Sequence, residues 1–388
     1  MNSKSAQKVV DDLLFLAGVT PNGKEPWDPQ IHNEEFYTRI LNDGSLGLGE
    51  SYMEGWWDCA QLDQFFDRIL TADIENKVKL NQWLWPKLIL LRLINHQSKK
   101  RSLIVGQKHY DLGNDLFQAM LDHRMNYTCG YWHNATDLDM AQWNKLELSC
   151  RKLKLKPGMR VLDIGCGFGS FAKYAAENYG VSVVGVTISK EQQEYAQKNC
   201  AGLPVEIRFQ DYREVQERFD RIVSLGMFEH VGYLNYRTYM QKVSDCLQDD
   251  GLFLLHTIGN NITTSFCDPW INKYIFPNGM LPSMRQISKA VEGLFVMENW
   301  VNFGAYYDKT LMAWHANFEQ HWPMLQSRYD GRFYRMWRYY LLACAGGFRA
   351  RSMQLWQIVL SKHGVRGGYE VPLFDGIEHP DLLFVKLP

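Results

Sequence analysis

The chain has 388 residues, 46% of them hydrophobic and 22% charged, with a net charge of −1 at pH 7. This composition is typical of a globular protein with a sizeable core, and it gives no indication of a nucleic-acid partner. The eight cysteines are scattered, without the close spacing of a zinc or redox site, so we expect reduced thiols and a cytoplasmic location. No apolar run is long enough to span a bilayer, and residues 1–20 predict an amphipathic helix rather than a secretory signal.

Residues 1–100 have apolar residues at helical spacing, which predicts a small N-terminal helical domain with turns at 21–23 and 42–49. Within it, residues 83–101 combine Trp83 and Trp85 with leucines and a basic end. This pattern suits docking on an anionic lipid surface, and it equally suits packing on the rest of the protein or on a dimer partner. Residues 101–156 are expected to form a linker that also carries active-site residues.

A regular alternation of strands and helices begins at residue 157. Strands are predicted at 160–164, 181–187, 205–210, 221–225 and 252–258, with later strands at 295–300 and 355–360. Helices are predicted at 168–179, 189–200 and 235–248. This order predicts an α/β unit over 157–361 with a parallel sheet and crossover helices. Residues 259–294 are expected to form a lid-like insertion, and 362–388 a C-terminal tail without an assigned role.

The short β-branched run of the first strand ends in Asp163, and glycines follow at alternate positions, Gly165, Gly167 and Gly169. Glycine lets the backbone turn sharply and lets a ligand lie against the main chain, although a purely structural turn is the alternative interpretation. The spacing resembles motif I of the S-adenosylmethionine (SAM) methyltransferases. That resemblance implies the Rossmann-like sheet of class I of these enzymes.

Ligands of open α/β sheets bind beyond the carboxyl ends of the strands. The resemblance therefore implies a SAM site built from residues that follow three strands: Asp163, Gly165 and Gly167; Thr187, Ile188, Ser189 and Gln192; Asp211 and Tyr212. Thr187 stands where most of these enzymes have an acidic residue for the ribose, so hydroxyl and amide groups are expected to replace it. Asp211 and Tyr212 suit the adenine, but Asp211 alone is equally typical of a helix N-cap.

Further segments together resemble the bacterial cyclopropane-fatty-acyl-phospholipid synthases, from about residue 35 to residue 361. They are GSLGLGESY (44–52), YTCGYW (127–132), GMFEHVG (226–232), LHTIG (255–259), DPWINKYIFP (268–277) and YDKTLMAW (307–314). The resemblance implies transfer of the SAM methyl group to a cis double bond of a membrane phospholipid, then proton loss and cyclopropane closure. It also implies a bicarbonate ion acting as base, held by Cys129, Glu229, His256, the Ile258 backbone and Tyr307, and it adds Tyr127 and Thr128 to the SAM site.

The implied reaction has physical requirements of its own. An alkene is a weak nucleophile, and its attack on a sulfonium leaves a carbocation that water would capture, so the pocket must be dry. Aromatic faces stabilise cations without capturing them, which gives the aromatic residues of 127–132, 270–276 and 303–314 a role. A base must lie beside the carbon that loses its proton. Glu229 suits an acceptor for the bicarbonate hydroxyl or for the proton, with His230 orienting Glu229 or packing.

Each candidate taken alone has an ordinary structural interpretation. Cys129 would be a small buried hydrophobe, His256 a hydrogen-bonded core histidine, and Glu229 with His230 a surface pair. Tyr307 is distinguished from Tyr306 only by its match to the family motif.

Three other functions remain as alternatives to cyclopropane synthesis. They are a SAM methyltransferase that acts on a small polar molecule, an enzyme that stops at a methyl-branched lipid, and a non-catalytic SAM- or lipid-binding module. For the synthase we expect an unsaturated phospholipid partner, a homodimer, and a peripheral position on the inner face of the cell membrane.

Overall fold

The computed structural model describes residues 3–72 and 113–372, and elements are numbered in chain order over these residues. The helices are Ser3–Phe15 (α1), Glu35–Asp43 (α2), Ser45–Met53 (α3), Leu62–Thr71 (α4), Asn114–Met120 (α5), Leu138–Lys152 (α6), Ser170–Tyr179 (α7), Lys190–Asn199 (α8), Tyr236–Cys246 (α9), Pro269–Tyr274 (α10), Met284–Val291 (α11), Ala305–Leu325 (α12) and Gly331–Arg349 (α13). The strands are Gln30–Ile31 (β1), Trp57–Asp58 (β2), Arg160–Ile164 (β3), Ser182–Thr187 (β4), Val205–Phe209 (β5), Phe219–Leu225 (β6), Leu247–Asn260 (β7), Val296–Asn302 (β8) and Met353–Ser361 (β9).

The sheet has seven strands in the order β5-β4-β3-β6-β7-β9-β8. The first five run parallel, as predicted, with helices between them, and the predicted α/β class is confirmed. The two later strands extend this sheet at one edge, where β9 pairs antiparallel with both β7 and β8. Helices α12 and α13 form the connection from β8 to β9. A helix pair joined by a short loop returns the chain to the side of the sheet where β8 ended, so β9 runs the opposite way.

Helices α12 and α13 were not predicted from the sequence. Residues 305–349 carry aromatic residues on several sides of each helix, and they also contain Pro323 and Gly331. The apolar residues therefore do not form one stripe at helical spacing. Both helices pack in the larger hydrophobic core together with the N-terminal helices, so burial on several faces stabilises them.

The N-terminal residues form helices α1 to α4 and a short hairpin of β1 with β2. The turn expected over 42–49 is reduced to Gly44, whose φ of 57° separates α2 from α3. Residues 45–49 are helical instead. Gly49 lies where a Cβ atom would come within 2.3 Å of the Trp270 ring, so glycine here permits close packing of α3 on α10.

The insertion at 259–294 contains α10 and α11. Its Trp270 is buried beneath α3, with its ring centroid 4.5 Å from that of Tyr339 on α13. Lys273 and Tyr274 both bond Glu50 of α3. The insertion is thus attached to the N-terminal helices at one end, while the boundaries of the proposed domains stay predictions.

Candidate active site

A cavity opens beyond the carboxyl ends of β3, β4, β5 and β6, where the sheet topology predicts a ligand site. All but one of the residues predicted to bind SAM line it: Tyr127, Thr128, Asp163, Gly165, Gly167, Thr187, Ile188, Gln192, Asp211 and Tyr212. The exception is Ser189, which caps α8 by accepting a hydrogen bond from the Gln192 backbone N–H. The structure thus brings the predicted residues of three strand ends together.

The glycine turn after β3 requires glycine for two reasons. Gly165 has a φ of 80°, which side chains rarely adopt, and a Cβ atom there would lie 2.7 Å from Met227. Gly167 also has a positive φ, and Gly169 begins α7 in the left-handed region. The turn therefore places bare backbone against the cavity, as a cofactor-binding loop requires.

Polar side chains after β4 form a small network at the cavity wall. The hydroxyl of Thr187 lies 3.0 Å from Gln192 Oε1, and it accepts a hydrogen bond from the Ser189 backbone N–H. All three residues are buried. Hydroxyl and amide groups therefore occupy the position expected for ribose recognition.

Asp211 has both of the roles considered from the sequence. Its carboxylate accepts from the backbone N–H of Arg213 and caps a 3-10 turn, and it also accepts two hydrogen bonds from the Arg213 guanidinium. The same carboxylate lines the cavity. Capping and ligand contact are therefore compatible at this position.

Lys145 is a cavity residue that the sequence analysis did not identify. It lies on α6 and lines the same cavity as Asn126, Met227 and His230. It falls on the buried stripe of α6 that includes Ala141 and Leu148. A lysine at helical spacing among apolar residues was the signal available in the sequence.

Beside this cavity lies a buried carboxyl and imidazole pair, Glu229 and His256. Glu229 Oε1 accepts a hydrogen bond of 2.6 Å from the Ile258 backbone N–H. His256 Nδ1 lies 3.3 Å from the Gln357 amide nitrogen. Glu229 Oε2 and His256 Nε2 are buried without a hydrogen-bond partner among the described residues. Glu229 is therefore not a surface residue, and both side chains hold a polar atom available to a ligand.

The other two predicted catalytic side chains, Cys129 and Tyr307, are both buried, and Thr310 of α12 contacts the first of them. Cys129 Sγ lies 3.9 Å from the Thr310 hydroxyl, which also accepts from the Gly130 backbone N–H and from Trp132. Tyr307, one turn earlier on α12, is buried and stacks on Phe348 with ring centroids 4.5 Å apart. The electrostatic neighbours of Tyr307 include Cys129 and Glu229. The half-buried Tyr306 packs edge-to-face on Tyr131, and it shares the Cys129 neighbour with Tyr307.

Burial shifts the pKa values of these groups away from their charged forms. It raises the pKa of Glu229 to about 7 and lowers that of His256 well below its ordinary value, with the positive charge of Lys145 adding to the latter effect. It raises the pKa of the Cys129 thiol and of the Tyr307 hydroxyl. At neutral pH the imidazole, the thiol and the phenol are therefore uncharged, whereas Glu229 is divided between its protonated and ionised forms and can exchange a proton.

Cys129, Glu229, His256 and Tyr307 form what we call the second cluster. Aromatic rings pack around this cluster and around the cavity. Tyr127 packs on Trp314 at 5.2 Å and its hydroxyl lies 3.0 Å from that of Tyr340. Phe276, from the insertion, packs against Tyr340 and His230. Phe303 lies 5.8 Å from the His256 ring. These rings come from four separate parts of the chain, and together they give the site an apolar surface.

Three further predictions concern membrane-spanning helices, the cysteines and the segment for lipid docking. No helix in the described part of the chain is long and apolar enough to cross a bilayer. All eight cysteines are free thiols. The candidate lipid-docking segment at 83–101 lies outside the described residues.

Comparison with known proteins places these features in one family. The family model of mycolic acid cyclopropane synthetase matches residues 97–358. The chain is 56% identical over 364 residues to the cyclopropane-fatty-acyl-phospholipid synthase of Escherichia coli K12, covering 94% of this chain and 95% of that protein. It is also 31% identical over 380 residues to a tuberculostearic acid methyltransferase of Mycobacterium tuberculosis, covering 91% and 88%.

A solved structure supports the same relation. The mycolic acid cyclopropane synthase CmaA1, in complex with SAH and CTAB, superposes with a TM-score of 0.64 at 32% identity, covering 67% of this chain and 98% of that chain. Together with the cavity at the strand ends, these matches show that the chain is a SAM-dependent enzyme belonging to the mycolic acid cyclopropane synthetase family.

Proposed function

We propose that the chain transfers the methyl carbon of SAM to a cis double bond of an unsaturated phospholipid acyl chain and closes a cyclopropane ring. The observation that carries this proposal is that Glu229 Oε2 and His256 Nε2 are buried without hydrogen-bond partners among the described residues, and that the Phe303 ring packs near His256. A methyltransferase acting on a small polar molecule has no need of a buried acid enclosed by aromatic rings. The 56% identity to the synthase of Escherichia coli supports the same substrate class.

The SAM site is proposed to consist of the predicted residues that line the cavity, together with Ser189 behind them. The glycine turn brings backbone close to the ligand, Thr187 and Gln192 contact the ribose hydroxyls, and Asp211 with Tyr212 contacts the adenine. SAM supplies an electrophilic methyl group when bound.

Attack by the alkene on that methyl group forms one carbon–carbon bond, breaks the carbon–sulfur bond and leaves a positive charge on the other alkene carbon. Tyr127, Trp314 and Phe303 exclude water from this cation and stabilise it through their ring faces by about 0.5 to 2 kcal/mol each. Loss of a proton from the transferred methyl group then supplies the electron pair that closes the ring. This proton must leave through a base inside the dry pocket.

The buried polar atoms of the second cluster fit a small hydrogen-bonding anion. Glu229 Oε2 and His256 Nε2 lack hydrogen-bond partners among the described residues, and a thiol and a phenol lie in the same region. We propose that bicarbonate is held by Cys129, Glu229, His256 and Tyr307, where it would supply the base. The Ile258 backbone belongs to this set because its N–H holds Glu229 in place. Glu229, with a pKa near 7, is suited to accept the proton.

A phospholipid substrate requires contact with a bilayer. We propose that the protein is cytoplasmic and binds peripherally to the inner face of the cell membrane, with residues 83–101 as the docking segment, and that it works as a homodimer. Two docking segments in one dimer would raise membrane avidity without a new contact. Vesicle flotation compared with a variant in which the basic residues 99–101 are neutralised tests the docking segment, and light scattering tests the dimer.

The decisive experiment incubates the purified protein with SAM and vesicles of an unsaturated phospholipid. The expected result is a gain of one methylene per acyl chain, with a product that no longer reacts as an olefin. A product of the same mass that still reacts as an olefin would identify transfer without ring closure. Bicarbonate removal should slow turnover, whereas activity on small polar acceptors alone, or SAM binding with no turnover, would contradict the proposal.

A further inference from the structure

The side chain of Lys145 is unusual because a lysine is rarely buried completely. It is 1% exposed and lines the SAM cavity. Its ammonium donates to Asn126 Oδ1 at 2.7 Å and to Thr128 Oγ1 at 3.1 Å. An ammonium has three protons to donate, so these two bonds leave one donor at the cavity wall.

The neighbouring Thr128 is held in one orientation. A Cβ atom at Gly226 would lie 2.6 Å from the Thr128 methyl group, so that methyl fills the space left by the glycine and the hydroxyl faces Lys145. Because the Thr128 oxygen accepts from Lys145, its own proton is directed elsewhere. The loop and α6 thus place an N–H donor and an O–H donor side by side.

A carboxylate of opposite charge lies on the same cavity. Asp163 is the penultimate residue of β3, is 2% exposed, and has Lys145 as its charged neighbour. Burying isolated charges costs several kcal/mol, so a buried cation and a buried anion on one cavity suit a ligand with both charges. The other charged pair on this cavity, Asp211 and Arg213, is joined by two hydrogen bonds between its own side chains. The methionine end of SAM carries an ammonium and a carboxylate on one carbon.

We propose that Lys145 is a cofactor-binding residue that takes the α-carboxylate of SAM, with the Thr128 hydroxyl beside it and Asp163 on the α-ammonium. The inference rests on the SAM site of the proposed function, but it does not depend on the lipid substrate or on ring closure. It assigns the specificity for the amino-acid end of the cofactor to a side chain of α6.

Bicarbonate is the other anion that this lysine could serve. The charge of Lys145 also acts on Cys129 and His256, which belong to the second cluster, and on Asp122 behind it. Lys145, however, lines the cavity with the SAM residues, and neither Cys129 nor His256 does. The position of the ammonium therefore favours the carboxylate of SAM.

The test compares two nucleosides that differ in the amino-acid end. Calorimetry measures the Kd of S-adenosylhomocysteine and of 5′-methylthioadenosine, which lacks that end, for the wild type and Lys145→Met. We expect the variant to bind S-adenosylhomocysteine about 10- to 100-fold more weakly, the range for one hydrogen bond to a charged group. Its Kd for 5′-methylthioadenosine should stay within about twofold of the wild-type value. This change is smaller than the loss of one hydrogen bond would cause.

Lys152 provides a matched control on the same helix. It is 2% exposed, its amino group has no hydrogen-bond partner among the described residues, and it does not line the cavity. Lys152→Met should leave the affinity for both nucleosides unchanged. Thr128→Val is the second variant if Lys145→Met does not fold, and it should show the same selective loss.

Two outcomes would overturn the inference. An equal loss of affinity for both nucleosides would mean that Lys145 only holds the fold of the loop. Unchanged S-adenosylhomocysteine binding with a raised bicarbonate requirement for turnover would assign Lys145 to the bicarbonate site instead. All binding measurements omit lipid, so failure of the proposed lipid chemistry would leave them unaffected.

Discussion

The carboxyl of Glu229 illustrates how burial changes an ordinary side chain. One oxygen is held by the Ile258 N–H at 2.6 Å, and the other has no hydrogen-bond partner in the part of the chain that the structure describes. Water cannot solvate the ionised form, so the pKa rises to about 7 from its ordinary value of 4.5. The residue can then exchange a proton near neutral pH, which a surface glutamate cannot do efficiently.

This shift predicts a pH-dependent contribution to stability. Between pH 4.5 and 7 the folded protein holds a proton on Glu229 that the unfolded chain releases, so stability from this group is lost as the pH rises. Glu229→Gln cannot titrate. Its free energy of unfolding relative to the wild type should therefore increase by about 2 to 3 kcal/mol from pH 5 to pH 8. Denaturant titrations at several pH values measure this, and parallel curves for the two proteins would contradict it.

The two adjacent tyrosines should differ in their effect on turnover. Tyr307→Phe keeps the stacking on Phe348 and removes only the hydroxyl, so turnover should fall about 10- to 100-fold if that hydroxyl bonds a charged group. Tyr306→Phe is the control, because Tyr306 packs on Tyr131 and Glu229 is not among its electrostatic neighbours, and it should retain activity. Equal rates for both variants would remove Tyr307 from the site. The measurement is the initial rate on vesicles at saturating SAM.

At the scale of elements, the turn from β3 into α7 builds the cofactor cavity from backbone rather than side chains. Gly165→Ala should reduce S-adenosylhomocysteine binding at least about tenfold and destabilise the fold by about 1 to 3 kcal/mol, because the new methyl group is strained and meets Met227. Gly202→Ala is the matched control. Its φ of 82° is equivalent, and nothing lies within 4 Å of the added atom.

Gly202→Ala should therefore lose stability through backbone strain alone and keep its affinity for the nucleoside. Thermal unfolding with and without S-adenosylhomocysteine separates the two effects. If both variants keep the full ligand-induced rise in melting temperature, the glycine turn has no part in binding.

The elements differ in how well they could be predicted. Strand β3 has the predicted bounds, and the helices at 170–179, 190–199 and 236–246 lie within one or two residues of them. These elements have either a short β-branched run or one apolar stripe, and both are local signals. Helices α12 and α13 have neither, because their buried residues face several neighbours at once. Only contact with the N-terminal helices determines which sides are inside.

At the scale of the whole molecule, Arg349 ties the N-terminal helices to the catalytic unit. It donates two hydrogen bonds to Asp308 on α12, at 2.9 and 3.0 Å, and one of 2.7 Å to Asp63 on α4. Its side chain is 30% exposed, so solvent screens part of this attraction. Loss of the arginine nevertheless leaves the carboxylates of Asp308 and Asp63 without this cation.

Arg349→Gln should lower the free energy of unfolding by about 2 kcal/mol, between the values for exposed and buried pairs. Arg328→Gln is the control, because Arg328 pairs with Asp115 at 2.8 Å with its side chain 61% exposed, and it should cost less than about 1 kcal/mol. Urea denaturation measures both variants. Equal costs would mean that the contact of α4 with α12 and α13 does not depend on Arg349.

The amino-acid sequence by itself determined the α/β class, the glycine turn, and ten of the residues that line the cofactor cavity, because these depend on short motifs and on strand ends that meet at one edge of a sheet. The tertiary structure decided which of the scattered polar residues are buried. It enclosed Glu229 and His256, separated Tyr307 from Tyr306, and placed Lys145 at the cavity wall. Burial and charge proximity depend on contacts between distant parts of the chain, and no local pattern encodes them.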